Sequence, residues 1–214
     1  MDDGSLDLTL VTHPVVRTRL TALRDARTSS VQFRDLLTQL TGMLMYEAMA
    51  SQAVTAVTVQ TPVGPCDGVQ MTQPPLLVPV LRAGLGMLDA AMTAVPEAQV
   101  GFVGVARDEE TARPQEYLVS LPADLRDRPV VVLDPMLATA GSMIHTLDVL
   151  ARHGATDVTA VCVIGAPEGV AALRESGHRL RLVLGGLDEG LNEDAYIVPG
   201  LGDAGDRLYG PRNF

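Results

Sequence analysis

The sequence predicts an α/β fold: a central, mostly parallel sheet flanked by helices, with a small hairpin and loop flap. Three observations predict it. Short apolar runs rich in valine and leucine lie at 76–81, 100–105, 130–133, 158–164 and 180–184. Runs of that length are strands buried on both faces. Helix-like segments at 85–94, 142–153 and 169–176 fall between them, the order of a parallel sheet with helices on its faces. The chain is 47% hydrophobic and 20% charged over 214 residues, which fits one globular domain, 1–214, rather than a disordered chain.

Taken in order, residues 12–28 set Val15, Val16, Leu20 and Leu23 at helical spacing. Ser29 and Ser30 offer an N-cap. Phe33, Leu37, Leu40, Leu44 and Ala48 follow at steps of three and four, the stripe of an amphipathic helix that packs on the sheet. Residues 54–60 alternate as a strand, 61–65 (Thr-Pro-Val-Gly-Pro) turn, and Val69-Gln70-Met71 return as the second arm of a hairpin. Glycine and proline cluster from 185 to 210. Because Tyr196-Ile197-Val198 sits inside that stretch, it reads as ordered loop rather than linker. With the hairpin, it is expected to form a flap over the sheet edge.

Sixteen basic residues face 26 acidic ones, a net charge of -10, and every basic residue is arginine. A chain without lysine forms no Schiff base and has no Walker A lysine, so pyridoxal enzymes, lysine aldolases and standard P-loop NTPases are excluded. The acidic balance argues against nucleic-acid binding. The N-terminus is acidic where a signal peptide is basic, and no run of about 18 apolar residues exists, so neither export nor a membrane span is expected. Cys66 and Cys162 lie far apart and outside any CxxC pattern, as in a reducing cytoplasm. His13, His145, His153 and His178 lack zinc-type spacing, so no metal site of protein ligands is expected.

In parallel sheets ligands bind beyond the C-terminal strand ends, and four loops lie there. In Val80-Leu81-Arg82-Ala83-Gly84-Leu85-Gly86 the glycines allow close approach of a ligand. Arg82 is a permanently charged, bidentate donor for phosphate oxygens. A tight turn bearing a surface arginine fits the same residues. In Asp134-Pro135-Met136-Leu137-Ala138-Thr139-Ala140-Gly141-Ser142, a strand runs into a carboxylate, a small-residue loop and a helix N-terminus. Helix N-termini bind phosphate. The carboxylate repels a bare phosphate but accepts hydrogen bonds from ribose hydroxyls or orients a hydrated Mg²⁺, so the combination points to a sugar phosphate; an N-capped turn is the alternative. The charged segment from Arg107-Asp108-Glu109-Glu110-Thr111 to Pro114 is a lid bringing Arg107 to a ligand, or a solvated loop. Tyr196 to Arg207 combines glycines, acids and an arginine after an apolar triplet. It presents backbone groups edge-on to a flat ring, or it is a turn-rich tail.

Several of these stretches resemble the uracil phosphoribosyltransferase family: Leu81 to Gly86, Asp134 to Thr139 and Tyr196 to Asp206. So do His13-Pro14, Leu23-Arg24-Asp25, Thr28, Phe33-Arg34, Tyr46-Glu47-Ala48, Ala166-Pro167-Glu168-Gly169 and Gly190-Leu191-Asn192-Glu193. The resemblance runs in order from about His13 to Gly210. Pro135 stands where other type I phosphoribosyltransferases carry a second acid.

The resemblance implies a type I phosphoribosyltransferase fold and a Mg²⁺-dependent transfer from 5-phosphoribosyl 1-diphosphate (PRPP) to uracil, giving UMP and diphosphate. It implies that Asp134, Pro135, Met136, Leu137, Ala138, Thr139, Ala140, Gly141 and Ser142 hold the ribose and 5′-phosphate. Arg82 and Arg107 take the diphosphate. Ile197, Gly202, Asp203 and Ala204 take uracil, with Asp203 also facing PRPP. Asp134, Asp203 and Arg107 are the candidate catalytic residues. Mg²⁺ is expected mainly through PRPP and water. The resemblance also implies a homodimer or higher homo-oligomer and brings in GTP as an effector, though no recognisable element here carries a GTP signal. Ala140 stands where many members have glycine, and Ala106 where tyrosine is common. Two other readings share these residues: a nucleotide-sensing regulator that keeps the fold without turnover, and an enzyme of the same class acting on another base.

Overall fold

In the computed structural model, which describes residues 6–107 and 114–211 but not the side chains of 105–107, 114 and 115, the valine- and leucine-rich runs become one sheet. The chain opens with β1 (Leu6–Leu10), α1 (Pro14–Arg24), α2 (Ser30–Ala48) and a hairpin of β2 (Val54–Gln60) and β3 (Pro65–Met71). Next come β4 (Leu76–Leu81), α3 (Leu85–Ala94), β5 (Gln99–Val100), β6 (Phe102–Arg107), β7 (Pro114–Ser120), β8 (Pro129–Leu133) and β9 (Met136–Leu137). Then follow α4 (Gly141–Arg152), β10 (Asp157–Cys162), β11 (Ile164–Gly165), α5 (Pro167–Glu175) and β12 (Leu180–Leu184). The last elements are β13 (Gly190–Leu191), β14 (Ile197–Val198) and α6 (Ala204–Tyr209). The sheet order is β1-β12-β10-β8-β4-β6-β7, with β5 also beside β4. Every pair is parallel except β6 with β7.

Side chains of a strand alternate between faces, and here both faces are apolar. Leu77, Val131, Leu133, Val161 and Val183 point to one side, where they meet α1, α2, α3 and α6. Leu76, Val78, Val80, Val130, Val132, Ala160, Cys162, Leu182 and Leu184 point to the other, against α4 and α5. This explains why the runs lack polar alternation. The stripe predicted on α2 is the centre of the first layer: Phe33, Leu37, Leu40, Leu44 and Ala48 are all fully buried. A capping box fixes the start of α2, with Gln32 N–H donating to Ser29 Oγ at 3.4 Å and Ser29 N–H donating to Gln32 Oε1 at 3.1 Å.

The order of strands locates the site. From β4 the chain steps to β6 on one side and then returns to β8 on the other. That reversal opens a crevice beyond the C-terminal ends of β4 and β8, where ligands bind in open parallel sheets.

Several expectations need adjusting. The first helix ends at Arg24, short of residue 28, because the chain turns at Asp25. Leu6–Leu10, outside every element the sequence predicts, forms the parallel edge beside β12. Pro114–Ser120, assigned to no element, is the antiparallel edge beside β6. The hairpin forms, but both of its faces are exposed, so it does not lie over the sheet edge. The tail after Gly202 is not all turn, since Ala204–Tyr209 is a helical segment packed on α2.

Candidate active site

Neighbouring strands lie about 4.8 Å apart. Arg82 directly follows β4, Arg107 ends β6, and Asp134 directly follows β8, so three adjacent strands deliver three predicted site residues to one rim. The Arg107 side chain, Ala106 and the rest of the lid read at 107–114 lie outside the described side chains or residues.

The loop after β4 is pressed into the sheet. The Leu81–Arg82 peptide is cis. A Cβ on Gly84 would stand 2.3 Å from Leu133 O and 2.6 Å from Val80 N, both backbone atoms, so only glycine fits where this loop meets the end of β8. Arg82 is partly exposed. Its Nη2 lies 3.6 Å from Asp206 Oδ1 on α6, and its buried Nε has no hydrogen-bond partner among the described residues. A buried, unpaired donor beside a charged, half-open guanidinium is suited to an incoming anion.

The loop after β8 is held from below. Pro135 O accepts from Val163 N–H and Ile164 N–H at 3.1 Å each, and β9 pairs in parallel with β11. The side chains of Pro135, Leu137 and Ala140 are buried, whereas Thr139, Gly141 and Ser142 are exposed. The buried residues hold the loop, and the exposed ones leave its outer surface open. Gly141 and Ser142 open α4, with Met143 next. Helix geometry leaves their N–H groups without i−4 partners, and the first intrahelical bond runs from Ile144 N–H to Ala140 O at 2.8 Å. Asp134 is half-buried at the start of this loop. Burial pushes its carboxyl up to about 7, against the lowering effect of the Met136 N–H that it accepts at 3.3 Å. Burial, reinforced by Asp134, also pushes the Cys162 thiol well above its usual value.

Ala140 caps α4 in the left-handed region, at φ 63° and ψ 3°. A Cβ there costs roughly 1–2 kcal/mol, offset in part by the greater freedom of glycine in the unfolded chain. Ala140→Gly is therefore expected to stabilise the fold by about 1 kcal/mol, read as a raised midpoint in urea unfolding. A lowered midpoint would contradict this account of the cap.

Ile197, Gly202, Asp203 and Ala204 gather on the other wall. The Ile197 side chain is buried in the first core layer with Leu201 and Ala204, so only the backbone of Ile197 is available to a ring. Gly202 and Asp203 are exposed. Asp203 is the N-cap of α6 and accepts the Asp206 N–H at 2.8 Å. A Cβ on Gly205 would lie 3.1 Å from Asp203 Oδ1 and 3.5 Å from Arg82 Nη2. Asp203 and Arg82 therefore flank one small space.

Two residues given no role in the sequence reading frame this wall. Arg207 donates through Nη1 to Leu23 O at 2.6 Å and Leu201 O at 3.0 Å, and through Nη2 to Asp25 O at 2.8 Å. Its guanidinium lies 4.4 Å from the Phe33 ring centroid. Glu168, in the first turn of α5, accepts the Leu191 N–H at 3.0 Å and so fastens β13, the partner of β14. A Cβ on Gly169 would meet Ala138 O at 2.4 Å, which shows how tightly α5 also seats the loop after β8. A glutamate at a helix start was a legible signal. An arginine serving carbonyls far away in sequence was not.

A cavity of about 870 Å³ opens at the opposite rim, at the N-terminal ends of β8, β10 and β12, lined in part by Asp127, Asp157, Arg179 and Arg181. Arg181 is already engaged by Ala48 O, Glu47 O and Ser51 Oγ. Among the described side chains, none of the sequence-predicted site residues lines this cavity. Among the described residues no three His, Cys, Asp or Glu side chains cluster as a metal group, and no helix is long and apolar enough to cross a membrane.

Comparison with known proteins agrees with this geometry. The sequence model of the family described as "Uracil phosphoribosyltransferase" matches residues 10–211. A uracil phosphoribosyltransferase of Corynebacterium efficiens is 55% identical over 97% of this chain and 99% of its own. One from Corynebacterium glutamicum is 54% identical over the same shares, 97% and 99%. A solved protein from Aquifex aeolicus superposes with a TM-score of 0.90 at 37% identity, over 97% of this chain and 100% of that one. A hypoxanthine-guanine phosphoribosyltransferase from Bacillus anthracis, at TM-score 0.50 and 9% identity over 74% of this chain and 80% of its own, shares the fold alone. With a mostly parallel sheet flanked by helices, three loops at its switch point and a family match over nearly all its length, the chain belongs to the uracil phosphoribosyltransferase family.

Proposed function

We propose that this chain transfers the phosphoribosyl group of PRPP to uracil, releasing diphosphate and forming UMP in pyrimidine salvage. One observation carries the reading: Arg82, the open phosphate loop behind Asp134 and the backbone-lined loop at Asp203 converge on a single rim of the sheet. Their chemistries match the three parts of the reaction. The first-turn N–H groups of α4 take the 5′-phosphate. Ionised Asp134 accepts the ribose hydroxyls. Arg82, joined by Arg107, stabilises the charge on the departing diphosphate as the sugar becomes oxocarbenium-like. No covalent nucleophile is required, because positioning and electrostatics supply the rate.

Uracil presents two carbonyl acceptors flanking an N3–H donor, a pattern that backbone groups of Ile197 and 202–204 can complement. Cytosine reverses the pattern at N3 and position 4, at about 1–3 kcal/mol for each group left unpaired. Incubation with PRPP, MgCl₂ and each base, followed by chromatography, tests the reading. UMP from uracil in preference to any product from cytosine or guanine supports it. No UMP above a protein-free blank refutes it and favours a sensor that keeps the fold.

The residues fit a cation that arrives with its substrate, since Asp134 is a single carboxylate at the loop and Pro135 follows it. Mg²⁺ on PRPP supplies charge neutralisation of the diphosphate. Asp203 holds both a cap and, in this reading, a face of PRPP, and two variants separate the roles. Asp203→Ala should lose the cap, about 1 kcal/mol, and most activity. Asp203→Asn should keep the cap and still lose activity. Full turnover by folded Asp203→Asn would remove the carboxylate from the site.

The proposal extends to a homodimer or higher oligomer in the cytoplasm. A lone two-stranded hairpin is marginal in water. The β2–β3 hairpin exposes Val54, Val59 and Val69, which a second copy would bury. GTP as an effector is read in the same assay: a changed rate supports it and an unchanged rate refutes it.

A further inference from the structure

We propose that Arg24 and Asp188 are a positioning pair for the base loop and set the affinity for uracil without touching it. The inference rests on the proposed function, and its support is the way the two peptides flanking Gly200 are gripped. Asp188 Oδ2 accepts from Arg24 Nη1 at 2.6 Å and from Gly200 N–H at 2.8 Å. Arg24 Nη1 also donates to Gly200 O at 2.8 Å, and Arg24 Nη2 donates to Asp188 Oδ1. The N–H and the C=O of Gly200 are thus both taken by one bidentate pair.

Gly200 is the hinge of the loop. It lies at φ 63°, and a Cβ there would stand 2.0 Å from Ile197 O. Ile197 is three residues before it and Gly202 two residues after, so fixing Gly200 fixes the separation of the two segments that read the base. The pair joins the end of α1 to the segment after β12 across 164 residues of sequence. Arg207 repeats the link in the opposite sense, reaching from α6 to Leu23 O beside Arg24 and to Leu201 O beside Gly200.

The Asp188 side chain is 4% exposed and that of Arg24 is 23% exposed. Burying such a pair stabilises a fold no better than apolar residues of similar volume, whereas leaving one partner alone is costly. Packing does not account for charges here. Geometry does, because a guanidinium fork facing a carboxylate offers a donor to the C=O and an acceptor to the N–H of the same residue, Gly200.

The test compares wild type with Arg24→Met/Asp188→Leu, which removes both charges, and with Asp188→Asn, which keeps an acceptor for Gly200 N–H. Thermal midpoints, kcat and the KM for each substrate are measured. In whichever variant is folded, the KM for uracil should rise roughly 10- to 100-fold while the KM for PRPP stays within about threefold. Asp188→Asn should fall between wild type and the double variant. An unchanged uracil KM in a folded variant, or equal rises for both substrates, overturns the positioning role. A wild type that makes no UMP sinks the proposed function and this role together, so the two failures are distinguishable.

Discussion

Asp134→Asn is expected to lower kcat/KM for PRPP by roughly 100- to 1,000-fold and, at the same time, to stabilise the protein at pH 8. In the proposed site the carboxylate accepts two charge-assisted hydrogen bonds from ribose hydroxyls, each worth about 1.5–3 kcal/mol, and the amide keeps one acceptor, so part of that energy, about 3–4 kcal/mol, is lost. The gain follows from burial. Burial holds the folded carboxyl at about 7, above its ordinary value of 3.8. At pH 8 it is ionised in both states, and the desolvated charge penalises the fold. As pH falls through 7 the native group binds a proton that the unfolded group still lacks, so stability rises down to about pH 4. Activity moves the other way, since the protonated carboxyl no longer accepts both hydroxyls. Urea midpoints at pH 8 and pH 6 check the first part. Wild type should gain on acidification relative to Asp134→Asn, with kcat/KM for PRPP falling below pH 7 in wild type. A variant less stable than wild type at pH 8 would contradict the burial argument.

Arg82→Ala is expected to cost roughly 100- to 1,000-fold in kcat, because a donor aimed at developing charge on the leaving group acts mainly in the transition state. Arg82→Lys should recover only part of this, since a point charge cannot replace a planar fork. Stability should change little, for the side chain is part-exposed and its Asp206 contact is long, 3.6 Å. Steady-state kinetics with both substrates give the answer. Wild-type kcat in Arg82→Ala would place the diphosphate elsewhere.

The sheet was legible because its central strands are buried on both faces and so read as unbroken Val and Leu runs. The α2 stripe was legible because Phe33 to Ala48 all enter one layer. The edges were harder. Leu6–Leu10 alternates apolar and polar residues as an edge strand does, and Pro114–Ser120 is exposed from Glu116 onward. Six-residue α6 hides behind glycines and acids that read equally as turn. In the site, Arg82, Asp134 and Asp203 were readable from loops after strands and from family resemblance. The contacts that hold those loops were not. Arg24 and Asp188 are held together by tertiary geometry alone, and the strain at Ala140 shows only in the backbone conformation of the fold.

The absence of lysine now has a structural counterpart. In the proposed function an acidic chain holds a highly anionic substrate, and the rim offers arginine and a helix N-terminus in place of lysine. A crystal structure with UMP tests this arrangement most directly. The 5′-phosphate should lie on the N–H groups of Gly141, Ser142 and Met143, the ribose against Asp134, and the ring edge along Ile197 and 202–204. UMP seated instead in the cavity beside Asp157 and Arg179, at the opposite rim, would contradict the account.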